Sequence, residues 1–345
     1  MQALILAGGA GTRLRPLTNT VPKPVLPLAE RPHISYVIDW LGRHGVDDVI
    51  VSCGHLAEGM QAALEGGAGP RIRYATEPDA RGTAGAIRFA EDLLGDRFLV
   101  LNGDVLCDLD LSAQIAQHES TGARATLALY PVEDPSAYGL VRRREDGEIT
   151  EFLEKPDPGQ IDSDEINAGA YVLERSVLDL IPPEREVSIE REIFPQLVGK
   201  GLFGRRLEGY WIDIGTPERF RQANWDILEG EVETVIADRV DSDGVWIDGS
   251  AEVSERAEVT GPAMVGRGVS VGAGARIGPR AVLGEDTAIG ADAVIDGSVL
   301  LPGCRLGEGA RLREAILASG VEIEAGAEPA PGAVLGEGES VGAPA

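Results

Sequence analysis

The sequence predicts two kinds of domain in one chain: an α/β domain on a mostly parallel sheet, then a parallel β-helix. Three observations carry this. Residues 1 to about 230 alternate short apolar runs with amphipathic stretches, the pattern of βαβ units with helices on both faces of a sheet. From Ile247 onward aliphatic residues return at every sixth position. The 45 glycines among 345 residues crowd into the C-terminal third, where a chain that turns every few residues has most use for them. The implied domains are 1–230 and 231–345, and the length is comfortable for two cores.

In the first part Leu4–Ala7, Val49–Ser52, Phe98–Leu101 and Thr126–Tyr130 read as strands. Ser35–His44, Gly82–Leu94 and Leu111–Thr121 read as helices. Ligands on such sheets bind beyond the carboxyl ends of the strands. The run Gly8–Arg13 and Asn102-Gly103-Asp104 fall there, each following a strand.

In the second part Ile247, Val253, Val259, Val265, Val271, Ile277, Leu283, Ile289, Ile295 and Leu301 form a series at spacing six. The period then slips and resumes at Leu317, Ile323, Pro329, Leu335 and Val341. One inward aliphatic residue per short strand, with small or polar residues at the corners, fits a parallel β-helix. The pattern resembles the left-handed β-helix of hexapeptide-repeat proteins, a known departure from the right-handed crossover rule. Acyltransferases on that fold use a histidine base, as the resemblance implies. Here His33, His44, His55 and His118 all lie in the N-terminal half. The β-helix is expected to pack, cap or oligomerise rather than to catalyse.

Composition narrows the partners. A formal net charge of −26 disfavours double-stranded nucleic acid and anionic membranes. The densest basic cluster, Arg142-Arg143-Arg144, is followed at once by Glu145 and Asp146. Cys53, Cys107 and Cys304 form an odd, widely spaced set, which argues against a disulfide framework and for a reducing compartment. The chain enters the strand-like run Ala3–Ala7 directly after Met1-Gln2, and no apolar stretch approaches a membrane span. These features predict a cytoplasmic protein.

Such a chain receives phosphates only through a few placed cations and backbone N–H groups. Gly8-Gly9-Ala10-Gly11-Thr12-Arg13 follows the first strand with nothing bulky before Arg13, so a phosphate can approach the main chain closely. It matches neither the dinucleotide fingerprint nor the P-loop, and a Gly-rich turn alone is weak evidence. Ten residues on, Val21-Pro22-Lys23-Pro24 restricts the backbone on both sides of Lys23, which limits where its ammonium points. Of 31 basic residues only Lys23, Lys155 and Lys200 are lysines. The first two each precede a proline, and an ammonium supplies a compact point charge where arginine supplies a planar fork.

Together the runs GGAGTRLRPLT, VPKPVLPL, GTAGAI, LNGDVLCDLD, FLEKP, INAGAYVL, SIEREIFPQL and GYWIDIGTPERF resemble the nucleotide-sugar pyrophosphorylases over residues 1 to about 228. Within that superfamily the closest likeness is to the mannose-1-phosphate guanylyltransferases, many of which carry a β-helix tail. The resemblance implies a Rossmann-like, GT-A-like nucleotidyltransferase sheet. It implies that Gly8, Gly9, Gly11 and Thr12 hold the triphosphate, that Leu6 belongs to the nucleotide site, and that Arg13 and Lys23 neutralise departing pyrophosphate. It implies Mg²⁺ held by Asp104 and Asp213, a set that suits a hard cation sharing phosphate oxygens. Glu77, Gly82, Thr83 and Asn102 then line the nucleotide. Gly139, Glu154, Lys155, Asn167 and Gly169 take the sugar phosphate.

Each residue also has a plain alternative: a helix or turn cap for Asp104, a solvated loop charge for Asp213, a surface ion pair for Glu154 and Lys155, a turn for Asn167. The sequence does not separate Asn167 from its alternative. The reaction implied joins a nucleoside triphosphate to a sugar 1-phosphate, with release of pyrophosphate. GTP and mannose 1-phosphate are favoured, with dTTP or UTP and glucose 1-phosphate as the competing pair. A catalytically silent regulatory subunit and a β-helix acyltransferase are the other classes. A homo-oligomer involving the β-helix is expected.

Overall fold

The computed structural model describes residues 1–54, 57–66, 69–183 and 185–343; His55 lies outside them. The chain packs as two compact units, Met1–Gly9 with Val37–Trp211, and Ala10–Tyr36 with Ile212–Ala345.

The first unit is a nine-stranded sheet. Its strands are β1 Gln2–Leu6, β2 Asp48–Cys53, β3 Arg71–Thr76, β4 Arg97–Asn102, β5 Ala125–Pro131, β6 Gly139–Arg143, β7 Ile149–Glu154, β8 Glu165–Glu174 and β9 Leu202–Arg206. They lie in the order β7-β6-β8-β4-β1-β2-β3, with β5 and β9 branching from β8. β3, β2, β1 and β4 are mutually parallel, as are β5 and β9. β8 runs antiparallel to β4, β5 and β6. Ala3, Leu4 and Ile5 are wholly buried, as expected of a parallel strand covered on both faces.

Register fixes which ends coincide. Leu6 pairs with Ser52 and Asn102, and Ser52 with Ala75, so the carboxyl ends of β1 to β4 share one edge. β8 enters antiparallel, with Ala170 beside Leu101, so residues 165–169 run past the end of β4. Leu140 pairs with Ile166, and Gly139 with Glu154, which brings β6 and β7 to the same edge.

Beneath the sheet Tyr171 and Phe194 meet edge-on at 5.0 Å, and Phe152 and Phe194 at 5.3 Å. The helix Leu111–Thr121 starts where Asp110 accepts a hydrogen bond from the Ala113 N–H and ends at left-handed Gly122. Its His118 is buried between Thr126 and Glu174, and desolvation holds its pKa below the usual histidine range. The expected helix Gly82–Leu94 instead ends at Phe89, and a tighter 3-10 turn covers Glu91–Leu93. Ile87, Ala90 and Leu94 are all buried in one core, so the apolar period runs on through the break and conceals it.

The second unit is the expected parallel β-helix with the segment 10–36 and the helix Pro217–Glu229 packed on it. Its short strands stack into three parallel sheets of six, six and four strands. Ile247, Val265 and Leu283 stack at eighteen-residue intervals. Leu300 and Leu317 then follow at seventeen, and Leu335 at eighteen. The inward position is therefore Leu300, one residue before the Leu301 that the spacing suggested. Leu301 is also apolar, so counting sixes runs through the missing residue unnoticed. Trp225 of the helix lies under the Arg221 and Arg280 guanidinium groups, 5.1 Å from each. Asn224 accepts a hydrogen bond from the Ala29 N–H at 2.9 Å.

Among the described residues no helix is long and apolar enough to cross a membrane, and the three cysteines are buried and free.

Candidate active site

The residues singled out from sequence divide between the two units. The run Gly8–Arg13 passes from one to the other at Gly9-Ala10.

In the first unit the shared strand edge gathers Leu6, Asn102, Gly103, Asn167 and Gly169. The Gly103 N–H donates to the Leu6 carbonyl at 2.9 Å, and the Gly169 N–H donates to Asn167 Oδ1 at 3.1 Å. Gly169 has φ +78°, and a Cβ there would lie 2.8 Å from Asn102 Nδ2. Asn102 Oδ1 is buried without a hydrogen-bond partner among the described residues. A buried acceptor left in that state calls for a donor from a ligand or water.

Glu77 follows β3 and is 9% exposed. It accepts a hydrogen bond from the Ser52 hydroxyl at 2.5 Å, and burial raises its pKa. A Cβ on Gly8 would lie 3.7 Å from its Oε1, so Glu77 and the start of the glycine run are neighbours. Gly8 and Gly9 are themselves exposed.

On the same edge Glu154 closes β7, and a Cβ on Gly139 would lie 3.2 Å from its Oε2. Burial raises the Glu154 pKa, the Glu190 charge adds to the effect, and Lys155 and Arg191 oppose it. Lys155 is exposed at φ +53°, and its N–H donates to the Tyr138 carbonyl at 2.9 Å. Asp104 is half-buried, and its charge, with those of Glu190 and Glu154, adds to the burial that raises the pKa of Tyr171. The Tyr171 hydroxyl accepts from Asn167 Nδ2 at 2.9 Å.

In the second unit the cations collect on one acid. Asp213 is 8% exposed. Arg219 Nη1 lies 3.4 Å from its Oδ2, Arg13 Nη2 3.8 Å from the same oxygen, and Lys23 Nζ 3.9 Å from Oδ1. The Gly215 N–H also donates to Oδ1 at 2.8 Å. Lys23 is 7% exposed and opens a 3-10 turn entered from Pro22. Proline on each side removes backbone freedom that a buried ammonium could not tolerate. Gly11 is left-handed ahead of the turn Thr12–Leu14, and its carbonyl accepts from the Thr18 hydroxyl. Thr12 and Arg13 face solvent.

The structure thus groups Leu6 with Asn102, Asn167 and Gly169; Gly8 with Glu77; Gly139 with Glu154; and Arg13 with Lys23 and Asp213. Asp104 and Asp213 belong to different units. Sequence reasoning passed over Arg219, one helical turn past Thr216, although it stands in a run already singled out. It also passed over Glu190 and the aromatic group at Trp211. That indole stacks on Tyr130 at 5.6 Å, meets Tyr138 edge-on at 5.5 Å and donates to the Ala168 carbonyl. Tyr130 and Tyr138 carry no motif signal of their own, because only strand register brings them to Trp211.

Comparison with known proteins identifies the family. The nucleotidyl transferase family matches residues 2–230, and the GMPPB C-terminal domain matches residues 243–343. A mannose-1-phosphate guanylyltransferase of Mycobacterium tuberculosis is 41% identical over 67% of this chain and 65% of its own length. A UTP–glucose-1-phosphate uridylyltransferase of Synechocystis is 36% identical over 68% of this chain and 65% of its own. The chain therefore spans about 65% of the length of these curated relatives. A solved structure of a putative glucose-1-phosphate thymidylyltransferase from Bacillus anthracis superposes with a TM-score of 0.59 at 28% identity, covering 65% of this chain and 94% of that one. With its family match over two thirds of the sequence and a sheet of the same fold, the chain belongs to the nucleotidyl transferase family.

Proposed function

We propose that this chain is a sugar-1-phosphate nucleotidyltransferase that joins GTP to mannose 1-phosphate, making GDP-mannose and pyrophosphate. The observation that carries the proposal is the gathering of Arg13, Lys23 and Arg219 on Asp213, in the unit that holds the end of an exposed glycine-rich run. In a protein of net charge −26, cations held on a single carboxylate can be taken over by an incoming polyphosphate.

The sugar phosphate is already an anion, so attack at the α-phosphorus needs no general base. Catalysis then rests on alignment and charge neutralisation. Gly8, Gly9, Gly11 and Thr12 offer N–H groups and a hydroxyl to the triphosphate, while Arg13 and Lys23 take charge developing on pyrophosphate. Glu77, residues 82–85 and Asn102 attend the nucleoside. Glu154, Asn167 and the backbone at Gly139 and Gly169 take sugar hydroxyls, with Lys155 on the sugar phosphate.

The family uses a divalent metal, and the donors here suit Mg²⁺. The described residues hold no cluster of three or more acidic, histidine or cysteine side chains that could cage an ion. Asp104 and Asp213, the carboxylates the resemblance assigns to the metal, are each hard oxygen donors of the kind Mg²⁺ takes. When bound, the ion supplies positive charge to the phosphates.

We further propose domains at 1–230 and 231–345, a homo-oligomer through the β-helix, and a cytoplasmic location. Equilibrium sedimentation reads the oligomer, and a monomer at micromolar concentration removes that part. The uridylyltransferase relative makes UTP with glucose 1-phosphate the second reading. One assay decides: five nucleoside triphosphates against mannose, glucose and N-acetylglucosamine 1-phosphates, with Mg²⁺ and pyrophosphate detection. GTP with mannose 1-phosphate is expected to give the highest kcat/KM. No pyrophosphate from any pair defeats the proposal.

A further inference from the structure

The first turn of the helix Gly82–Phe89 is held from outside by one segment, residues 185–190. The Ala84 and Gly85 N–H groups both point at the Val187 carbonyl, at 2.9 and 3.3 Å, and the Val187 N–H donates back to the Arg81 carbonyl at 2.9 Å. The approach is so close that a Cβ on Gly82 would stand 2.6 Å from the Val187 oxygen, and Gly82 itself has φ +69°. Only glycine allows that contact and that backbone together.

One side chain completes the grip. Thr83 Oγ1 accepts from the Ile189 N–H at 2.9 Å and donates to Glu190 Oε2 at 2.7 Å. The same Glu190 oxygen accepts from the Ser188 hydroxyl at 2.7 Å. The Ser188 hydroxyl in turn accepts from the Arg191 N–H, so its one hydrogen is committed to Glu190. Both hydroxyls are oriented by backbone donors, and Glu190 is the common acceptor. Glu190 sits in the π-helical turn Ile189–Ile193, ahead of Phe194-Pro195. Such wide turns mark functional positions more often than ordinary helix does.

We propose that Glu190 is a positioning residue for the nucleotide: through Thr83 it locks the helix's first turn, residues 82–85, and fixes the polarity of the Thr83 hydroxyl. With its hydrogen on Glu190, that hydroxyl can offer a base edge only its remaining lone pair. Thr83 therefore acts as an acceptor for a base N–H and as a strut for the turn. Sequence reasoning placed Thr83 against the nucleotide but gave it no support. The inference rests on the nucleotidyl-transfer reading and adds to it the residue that shapes the nucleotide's contact.

The test is kinetic, with binding as a second readout. A charge-assisted hydrogen bond lost at such a strut corresponds to about a tenfold effect. Glu190→Ala is expected to raise KM for GTP about tenfold while kcat and KM for mannose 1-phosphate move by less than about threefold. GTP affinity by calorimetric titration should weaken by the same factor. Glu190→Gln keeps an acceptor oxygen for both hydroxyls and should stay within about threefold of the parent. Thr83→Val removes the acceptor itself and should raise KM for GTP at least as much as Glu190→Ala, and the double variant should be no worse than Thr83→Val alone, because Glu190 acts through Thr83. The inference is overturned if Glu190→Ala leaves both KM and affinity for GTP unmoved. It is equally overturned if kcat and thermal midpoint fall together with KM constant, or if the two substitutions add. A parent protein inactive with every nucleotide pair would instead remove the nucleotidyl-transfer reading, and this inference with it.

Discussion

The two units treat charge in opposite ways. The first sets acceptors at strand ends with few cations beside them: Glu77 and Glu154 both have raised pKa values from burial, and Asn102 Oδ1 stands without a partner among the described residues. The second gathers Arg13, Lys23 and Arg219 on the single carboxylate of Asp213. Groups of the first kind suit neutral hydroxyls and base edges, which bring donors of their own. Those of the second kind suit phosphates, which bring negative charge. A chain of net charge −26 can handle a polyphosphate because its useful cations are concentrated rather than spread.

The comparison breaks most readily at its catalytic ends. Arg13→Ala in the second unit and Asp104→Ala in the first should each lower turnover by about 10²–10³, the scale of losing one charge-stabilising group. Steady-state pyrophosphate release measures this. The Arg13 side chain is 60% exposed, so its variant should unfold at the parent temperature. Near-normal activity in either variant dissolves the proposed division of labour.

A smaller effect separates Asp213 from Asp104. Removing Asp213 takes away a carboxylate 3.9 Å from a lysine only 7% exposed. Asp213→Ala should therefore cost about 2 kcal/mol in stability as well as activity. Urea unfolding reads the difference. If Asp213→Ala and Arg13→Ala have the same midpoint as the parent, Asp213 does not organise the cations as described.

The smallest effect concerns another carboxylate of the second unit, one whose burial outweighs the nearby Arg267 charge. Pro27–Leu28 and Arg31–Pro32 pair as a hairpin whose turn residues, Ala29 and Glu30, have φ of +41° and +66°. Glu30 projects onto Gly266, where a Cβ could not fit beside it, and its Oε1 is buried with no hydrogen-bond partner among the described residues. Burial, with help from Glu285 and Asp248, pushes its pKa up to about 7 from 4.5, against the Arg267 backbone and charge. The folded state then holds a proton that the unfolded state releases. The resulting stability is complete below pH 4.5 and lost as pH rises through about 7. Glu30→Gln should match the parent at the acid end and exceed it above neutrality, by roughly 1 kcal/mol once solvent screening of a half-exposed group is allowed for. Thermal midpoints at both ends test this, and a constant gap between the two proteins across pH would refute it.

Much of this was legible in the chain, for reasons that differ by region. The β-helix repeats its rule every six residues, so period alone announced it; only the one-residue slip at Leu300 escaped, because Leu301 is as apolar as its neighbour. The first strands and Leu111–Thr121 were legible because burial on both strand faces, an Asp cap and a closing Gly leave local signatures. Helix Gly82–Phe89 ran too long in the reading, since Ala90 and Leu94 keep its apolar period. The candidate site was legible wherever a residue sits in a short motif, as Arg13, Lys23, Glu154 and Asp213 do. Tyr130 and Tyr138 carry no such mark, and Glu190, although it stands in the run SIEREIFPQL, carries no sign there of the residue it braces.

By itself the sequence determined the two architectures and their order, because each depends on residues close together in the chain. The tertiary structure alone decided which charges balance, which acceptors stay unpaired and which side chain braces which turn. Asp213 is 200 positions from Arg13, and Glu190 is 107 from Thr83. Their partnerships follow from register and packing, which no local pattern encodes.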